Sequence, residues 1–261
     1  MELIKLGIPV FDDLVEGVRK GSMIVFAGPP GIGKSVFVRH AVLSTVTGGG
    51  RVAYIVFDDD PEDILVELAN ASGMELDNIR GKVVVLDGFS ATLPGLEEYG
   101  VTRIDPMNPI EALNTIHNVL KPMASEVKLL IIDSINEIIL RNEPGIVLDF
   151  VKGLKSLCKR YSIVSILVLH TGIPGLEQIY SAVEYISDSF VEMGFDPSLE
   201  QLGIPLRRLR VRKLKGASHI LDWIPYTIGK NGKIMVVDIK KIMDSVRTAL
   251  AELKTLTSEK R

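Results

Sequence analysis

The feature of this sequence that most constrains its fold is the glycine-rich stretch GPPGIGKS, Gly28–Ser35. It follows the apolar run Met23–Ala27 and precedes the helical run Val36–Val42, so it lies where a strand ends and a helix begins. The stretch matches the P-loop pattern G-x-x-x-x-G-K-[ST], in which backbone N–H groups and the positive helix end hold a phosphate chain. Lys34 would bridge the β and γ phosphates, and the Ser35 hydroxyl would bind Mg²⁺.

The alternative to a P-loop is a glycine-rich turn that begins an ordinary helix. The predicted nucleotide-binding residues are Gly28, Pro29, Pro30, Gly31, Ile32, Gly33, Lys34, Ser35 and Val36.

Composition narrows the class of protein. With 261 residues, 46% of them hydrophobic, the chain can bury one large core. The net charge of −3 gives no global attraction to nucleic acid or to an acidic membrane. Cys158 is the only cysteine, which excludes a disulfide framework. No apolar run approaches the roughly 18 residues of a membrane span, and Met1–Lys5 lacks a signal-peptide pattern. We therefore expect a cytoplasmic protein without a membrane partner.

Strands and helices alternate along the chain, which is typical of an α/β fold. Continuous apolar runs predict buried strands at Arg51–Phe57, Lys82–Leu86, Lys128–Asp133 and Ile163–Leu169. Helical spacing predicts helices at 61–71, Pro109–Leu120, 145–160 and from Lys240 to about Thr255, and a long loop is expected from Gly88 to about Asn108.

An acidic run, Asp58-Asp59-Asp60-Pro61, follows the strand that ends at residue 57. Ligands of open α/β sheets bind at this edge, outside the carboxyl ends of the strands. Asp60 as an N-cap, with Pro61 at the first helical position, makes a standard helix start. That start leaves Asp58 and Asp59 unexplained. We expect at least one of these two carboxylates to face the nucleotide; the alternative is that both face solvent.

Two further strands end in polar residues. The run KLLIID places four apolar residues before Asp133, which is the Walker B pattern, and Asp133 would hold Mg²⁺ through water. The strand IVSILVL is followed by His170. That histidine would either sense the γ-phosphate or the attacking water, or serve only as a hydrogen-bonded structural residue. The predicted metal ligands are therefore Ser35 and Asp133.

A change of charge divides the last third of the chain. The stretch 172–206 contains six acids and no lysine or arginine, whereas RRLRVRKLK, Arg207–Lys215, contains six bases. These bases would serve as solvated protection of a sheet edge, as a nucleic-acid surface, or as cations directed at phosphate. Period-two alternation predicts one face with Arg208, Arg210 and Arg212 and a second face with Leu209, Val211, Lys213 and Lys215.

With both halves of the phosphate site identified, the chain resembles a single-domain member of the KaiC and RadA branch of the RecA-like ATPases. The resemblance implies a RecA-like P-loop NTPase core: an α/β fold with a mostly parallel, twisted sheet, helices on both faces and a C-terminal antiparallel extension. We expect this domain over residues 1–240 and an amphipathic helix and tail over 241–261. The resemblance runs from Leu6 to Val237 and is carried by GIP at 7–9, the P-loop, FDDDP at 57–61, VLDGFS at 85–90, IIDS at 131–134, VEYISD at 183–188 and VRKLKGASH at 211–219.

The resemblance also implies roles for individual residues. The family's two adjacent glutamates, which act on the attacking water, fall on Asp58 and Asp59. In the family motif K-x-R-G-x-S-H, two cations reach across a subunit interface to the γ-phosphate of the neighbour's ATP. The implied cofactor is ATP, or ADP, with Mg²⁺, and the implied assembly is a homo-oligomeric ring, with a hexamer as one candidate. The residues that match this motif are Lys213, Lys215, Ser218 and His219.

Three positions depart from the family pattern. Aspartate at 58 and 59 is one methylene, roughly 1.5 Å, shorter than glutamate, and small misplacements of catalytic groups are costly. Lys215 replaces an arginine and lacks its planar fork. Tyr185 replaces a histidine. We therefore expect the nucleotide to bind and its hydrolysis to be slow or absent.

Three classes of function stay open at this point. The leading hypothesis is a ring-forming, Mg²⁺-dependent ATPase with a regulatory or signalling role and an unidentified protein partner. The second is a DNA recombination accessory similar to the short RadA paralogues. The stretch Thr171–Leu206, where RecA proteins carry DNA-binding loops, has no base and disfavours nucleic acid as a partner. The third is a scaffold whose bound nucleotide is structural.

Overall fold

The P-loop strand lies near the middle of a ten-stranded sheet in the computed structural model of the chain, which describes residues 2–90, 102–238 and 240. The strands are β1 (Leu3–Ile4), β2 (Val18–Arg19), β3 (Met23–Gly28), β4 (Arg51–Val56), β5 (Val83–Asp87), β6 (Thr102–Arg103), β7 (Val127–Asp133), β8 (Val164–His170), β9 (Ser189–Phe195), β10 (Arg207–Leu214), β11 (Ile224–Ile228) and β12 (Ile234–Val236). The helices are α1 (Phe11–Leu14), α2 (Lys34–Thr47), α3 (Pro61–Ser72), α4 (Leu76–Arg80), α5 (Pro109–Leu120), α6 (Asn136–Arg141), α7 (Pro144–Tyr161), α8 (Glu177–Ile186) and α9 (Pro197–Glu200), with short 3₁₀ turns at Lys121–Met123 and Lys230–Gly232.

The strand order in the large sheet is β12-β11-β10-β9-β3-β8-β7-β4-β5-β6. The seven strands from β9 to β6 in this order run parallel, and β10, β11 and β12 are antiparallel to their neighbours. β1 and β2 form a separate antiparallel pair. The predicted α/β class, with a mostly parallel sheet and a C-terminal antiparallel extension, is confirmed.

Helices cover both faces of the sheet, as predicted. On one face, α2 and α3 pack Phe37, Val42 and Leu68 against strand residues such as Ile24 and Val52. On the other face, α5, α7 and α8 pack their own apolar stripes on the opposite side of the same strands. Burying one large aliphatic side chain contributes about 1.5–3 kcal/mol, so these two layers hold the central strands in fixed register.

Residues close in sequence determine where α3 begins and ends. The Asp60 side chain accepts a hydrogen bond from the backbone N–H of Glu62 at 2.8 Å, and Pro61 is the first residue of α3. Gly73 ends this helix with φ of +69°, a left-handed conformation that glycine adopts without steric cost. The predicted N-cap of α3 is therefore confirmed, and the helix ends one residue beyond the predicted range 61–71.

One of the three alternatives for the basic stretch Arg207–Lys215, protection of a sheet edge, is excluded. The acidic stretch before it, Thr171–Leu206, contains α8, β9 and α9. β10 is not a sheet edge, because it lies between β9 and β11. Its arginines pair with acids of the preceding acidic stretch: Arg208 with Asp196 (3.1 Å), Arg210 with Glu192 (2.8 Å) and Arg212 with Glu184 (3.3 Å).

Parts of two predicted segments lie outside the described residues. They are 91–101 of the predicted long loop and 241–261, the predicted C-terminal helix and tail. Within the part of the chain that is described, none of the helices combines the length and the apolarity that crossing a membrane requires.

Candidate functional site

Four neighbouring strands, β3, β8, β7 and β4, bring their carboxyl ends together at one edge of the sheet. β3 ends in Gly28, β8 in His170 and β7 in Asp133, and Asp58 follows two residues after β4. Gly28 is in register with His170, and the last residue of β4 is in register with Asp133. Sheet register therefore brings the P-loop beside polar residues that are distant from it in sequence.

The P-loop backbone has a shape that requires glycine. Gly31 and Gly33 have φ of +76° and +103°, which residues other than glycine rarely adopt. At Gly28 a β carbon would lie 2.6 Å from a carbonyl oxygen of β9, so a side chain would not fit there. The hydroxyl of buried Tyr226, on β11, donates to the Ile32 carbonyl at 2.8 Å. The antiparallel extension therefore anchors the loop from outside.

Lys34 begins α2 and is almost fully buried, with 2% of its surface exposed. Its Nζ donates to the carbonyls of Gly28 at 2.8 Å and Pro29 at 2.9 Å. Burial lowers the pKa of Lys34 to about 8, although the carboxylates of Asp133 and Asp58 act to raise it. The loop thus encloses an ammonium group that burial removes from water. The negative charge of a bound phosphate would compensate for the lost hydration of this cation.

Asp133 is buried at the tip of β7 and accepts a hydrogen bond from the Tyr54 hydroxyl at 2.9 Å. Burial raises the pKa of Asp133, while the hydroxyls of Tyr54 and Ser35 act to lower it. A desolvated carboxylate of this kind gains from a nearby cation. Ser35 and Asp133, the two predicted metal ligands, therefore lie together.

Asp58 and His170 face each other beside Asp133. Their closest atoms, Oδ2 and Nε2, are 3.7 Å apart. Burial acts to raise the pKa of Asp58, but His170 and Ser134 outweigh it and hold that pKa below its usual value. The Asn136 side chain accepts a hydrogen bond from the backbone N–H of His170 at 2.7 Å and donates one to the backbone carbonyl of His170 at 2.9 Å. Asn136 thereby positions the backbone that carries the imidazole.

Asp59 is exposed and follows Asp58 at the same strand tip. It lines a small cavity with Ser35 and Tyr54, next to the ion pair between Arg39 and Glu67. Asp58 and Asp59 therefore both lie beside the P-loop, and the expectation that one of them faces the nucleotide stays a prediction.

The four residues of the cationic motif lie away from the P-loop of their own chain. The Lys215 N–H bonds the Asp188 carbonyl, and the Asp188 N–H bonds the carbonyl of Met23, the first residue of β3. The P-loop leaves from the other end of β3, so the two ends are about 17 Å apart along the strand. The Ser218 carbonyl accepts from the backbone N–H of Glu16, the Ser218 N–H donates to the Glu16 carboxylate, and His219 forms an isolated antiparallel β-bridge with Val15. These residues do not reach the site within one chain; their family role requires a neighbouring chain.

Strict alternation along β10 ends at a β-bulge between Val211 and Lys213. Val211 pairs with Val191, whereas Lys213 pairs with Phe190, the adjacent residue of β9. Because adjacent residues of a strand face opposite sides, Lys213 lies on the face opposite Val211. The prediction that placed these two on one face is wrong. The Lys213 Nζ instead donates to two carbonyls, Glu184 at 2.6 Å and Tyr185 at 2.8 Å, at the end of α8.

The residues at this edge fit a nucleoside triphosphate with a divalent cation. The loop lacks room for a β carbon at Gly28, a buried ammonium group faces neutral carbonyls, and a hydroxyl lies beside a buried carboxylate. Fold and site together define a P-loop protein of the RecA-like class. The KaiC ATPase family profile matches residues 4–241, and the chain belongs to that family.

Solved and curated relatives agree with this assignment. A KaiC-like protein from the hyperthermophilic archaeon Pyrococcus horikoshii OT3 has the same fold, with a TM-score of 0.70, 24% identity and coverage of 91% of this chain and 99% of that chain. The UPF0273 protein of Thermotoga maritima is 23% identical over 237 residues, which is 89% of this chain and 95% of that protein. The circadian clock oscillator protein KaiC of Prochlorococcus marinus is 26% identical over 246 residues, 89% of this chain and 46% of that protein.

Sequence reasoning missed three residues that support the site. They are Tyr54, which bonds Asp133; Asn136, which holds the His170 backbone; and Tyr226, which bonds the P-loop. Tyr54 carries a hydroxyl within an otherwise apolar strand, and Asn136 follows the Walker B acid by three positions. These were the available signals. Tyr226 offered none, because its partner is 194 residues away.

Proposed function

We propose that this protein binds ATP, or ADP, with Mg²⁺ at the P-loop edge of its sheet and hydrolyses ATP slowly in a ring with a regulatory role. The observation that carries this proposal is the convergence of Lys34, Asp133 and the pair Asp58–Asp59 at the ends of adjacent strands. The family's ATPase domain and the clock-protein name of one relative support it.

Each residue has a role that its position supports. The loop N–H groups and Lys34 would bind the phosphate oxygens, and the buried ammonium would stabilise charge on the transferring phosphoryl group. Mg²⁺, when bound, would supply further positive charge, held by Ser35 and Asp133. Asp58 or Asp59 would orient the attacking water. Their short side chains are the reason that we expect slow turnover.

The position of the cationic motif supports the proposed ring assembly. Lys213 and Lys215 do not meet their own P-loop, so we propose that they complete the ATP site of an adjacent subunit. An ATP molecule that contacts two subunits binds only the assembled state, so assembly and nucleotide binding would strengthen each other. A hexamer is the ring size that we propose to test.

Calorimetric titration with ATP and Mg²⁺ tests the proposed function. We expect saturable binding of one nucleotide per chain. Analytical ultracentrifugation with a slowly hydrolysed ATP analogue should show nucleotide-dependent assembly. Absence of both binding heat and a nucleotide-dependent rise in melting temperature would contradict the proposal.

The pKa of Lys34 predicts how ATP affinity depends on pH. The pKa of Lys34 is about 8 in the free protein, and a bound phosphate favours the charged form of the lysine. The affinity for ATP should therefore be highest below pH 8 and should fall as the pH rises above 8. The fall should approach about tenfold per pH unit. Calorimetry in buffers of different ionisation enthalpy should detect proton uptake on binding near pH 9.

The matched variant for this effect is Lys34→Arg, whose guanidinium stays charged throughout the range. Its ATP affinity should not fall between pH 8 and pH 9.5, and it should take up no proton. Equal pH profiles for the two proteins would show that Lys34 does not titrate in the free site.

The change Asp58→Asn with Asp59→Asn should lower ATP turnover at least about 100-fold, because an amide cannot accept a proton from the attacking water. Asp60→Asn is the matched control, since asparagine caps a helix as well as aspartate does. Phosphate release measured on all three proteins makes the comparison. An unchanged rate in the double variant would show that Asp58 and Asp59 have no role in turnover and belong only to the start of α3. A wild type without turnover that still binds ATP would favour the scaffold function.

Binding of DNA is disfavoured by the pairing of the β10 arginines. Arg208, Arg210 and Arg212 each bond an acid of the same chain, so this face offers few unpaired cations to a phosphate backbone. Filter binding of single-stranded DNA at low and high salt separates this alternative from the proposed ATPase.

A further inference from the structure

Three potential metal ligands meet at the tips of β4, β7 and β8. They are the carboxylates of Asp58 and Asp133 and the imidazole of His170, and one ligand atom from each lies within 4.8 Å of the other two. Asp58 Oδ2 and His170 Nε2 are 3.7 Å apart. Atoms that share one metal ion at about 2.1 Å lie about 3 to 3.5 Å from each other, so small side-chain rotations would close this set around a cation.

The composition of this cluster differs from what Mg²⁺ requires. Mg²⁺ prefers oxygen ligands and keeps several waters, and the proposed pair Ser35 and Asp133 already meets that need. An imidazole beside two carboxylates suits a first-row transition-metal dication better, because the carboxylates are ligands for Mn²⁺ and the imidazole is a ligand for Fe²⁺ or Zn²⁺. The donor chemistry therefore favours a transition-metal ion over Mg²⁺.

The surroundings hold these ligands in place and leave the cluster accessible. Tyr54 bonds the Asp133 carboxylate, and Asn136 bonds both backbone groups of His170. The other ring nitrogen of His170, Nδ1, is buried and has no hydrogen-bond partner among the described residues, so no hydrogen bond at that nitrogen opposes a small rotation of the imidazole toward an ion at Nε2. The Asp58 side chain is 38% exposed, so water or phosphate oxygens have access to fill the remaining positions around an ion.

We propose that Asp58, Asp133 and His170 bind one first-row transition-metal dication, of the Mn²⁺ type, in the absence of nucleotide. Asp58 then serves as a cation ligand, and Asp59 is the member of the acidic pair left to orient water. The ion site itself does not rest on the proposed function. Only a contact between this ion and a bound ATP molecule would rest on it.

Titration of the nucleotide-free protein with Mn²⁺, followed by the EPR signal of the unbound ion, tests this proposal. We expect one bound Mn²⁺ per chain and weak competition from Mg²⁺. Asp58→Asn and His170→Gln should each weaken Mn²⁺ binding about tenfold or more, since even the loss of a group that supports a metal ligand costs about 10- to 100-fold. Asp59→Asn is the matched control and should leave the affinity within about threefold, because Asp59 is exposed and solvent screens its charge.

Lys34→Ala separates the two proposals. It should remove ATP binding without weakening Mn²⁺ binding, because it removes a positive charge that acts on both Asp58 and Asp133. Thermal melting of each variant checks that it is folded, and His170→Asn replaces His170→Gln if the latter is not. The ion site is overturned if folded histidine variants bind Mn²⁺ like the wild type, if Asp59→Asn weakens binding as much as Asp58→Asn, or if equimolar Mg²⁺ displaces the ion.

Discussion

Replacing Lys34 with alanine should abolish ATP binding at ordinary titration concentrations, raising the dissociation constant by a factor between about 30 and several thousand. The reason is that Nζ lies buried between the Gly28 and Pro29 carbonyls, so its charge acts on a phosphate with little screening by water. Losing one partner of a buried, hydrogen-bonded charge pair costs about 2–5 kcal/mol, and each 1.4 kcal/mol is tenfold in affinity. Isothermal titration calorimetry of ATP with Mg²⁺ measures the loss.

Lys20→Ala is the control for the Lys34 experiment. Lys20 pairs with Glu2 on the exposed surface at 2.8 Å, so its loss removes one positive charge away from the P-loop. Its ATP affinity should match that of the wild type. If Lys34→Ala is folded and binds ATP with unchanged affinity, the P-loop assignment is wrong.

Replacing both Lys213 and Lys215 with alanine should lower ATP turnover by a factor on the order of 10³. A cation supplied from a neighbouring subunit stabilises charge on the transferring phosphoryl group by a factor of this size. The same change should weaken nucleotide-dependent assembly, because ATP would then contact one subunit only. Phosphate release and analytical ultracentrifugation with a slowly hydrolysed analogue measure the two effects.

The structure shows that this experiment needs a control for a local effect. Lys213 bonds the Glu184 and Tyr185 carbonyls at the end of α8, and Lys155 bonds the Ile186 carbonyl at 2.6 Å at the same helix end. Lys155→Ala therefore removes a similar contact, together with the ion pair between Lys155 and Asp188, and keeps the residues of the cationic motif themselves. If it lowers turnover as much as the double change, the effect comes from α8 and not from a neighbour's phosphate.

Mixing two inactive variants gives the sharpest test of action between subunits. One variant carries Lys34→Ala and keeps its lysines, and the other keeps its P-loop but lacks Lys213 and Lys215. In a mixed ring, some interfaces join an intact P-loop to intact lysines, so part of the activity should return. Activity that stays at the level of the separate variants would show that the lysines do not act across an interface.

The sequence by itself determined the features that depend on nearby residues. A glycine-rich turn between a strand and a helix has the same conformational needs in any context, and Gly31 and Gly33 show the expected left-handed backbone. The Asp60 cap, Pro61 and Gly73 set the limits of α3 through contacts within a few residues. For the same reason, the acids that end or follow apolar strands were found at the correct edge of the sheet.

Tertiary structure alone decided which distant residues meet. The β-bulge after Val211 places Lys213 on the opposite face, because one extra residue reverses every later side chain in a strand. Tyr226 reaches the P-loop only because β11 folds back beside it. The Asp58–Asp133–His170 cluster likewise depends on the strand order β4-β7-β8. Such contacts are fixed by sheet register and packing over long separations, on which local propensity and spacing carry no information.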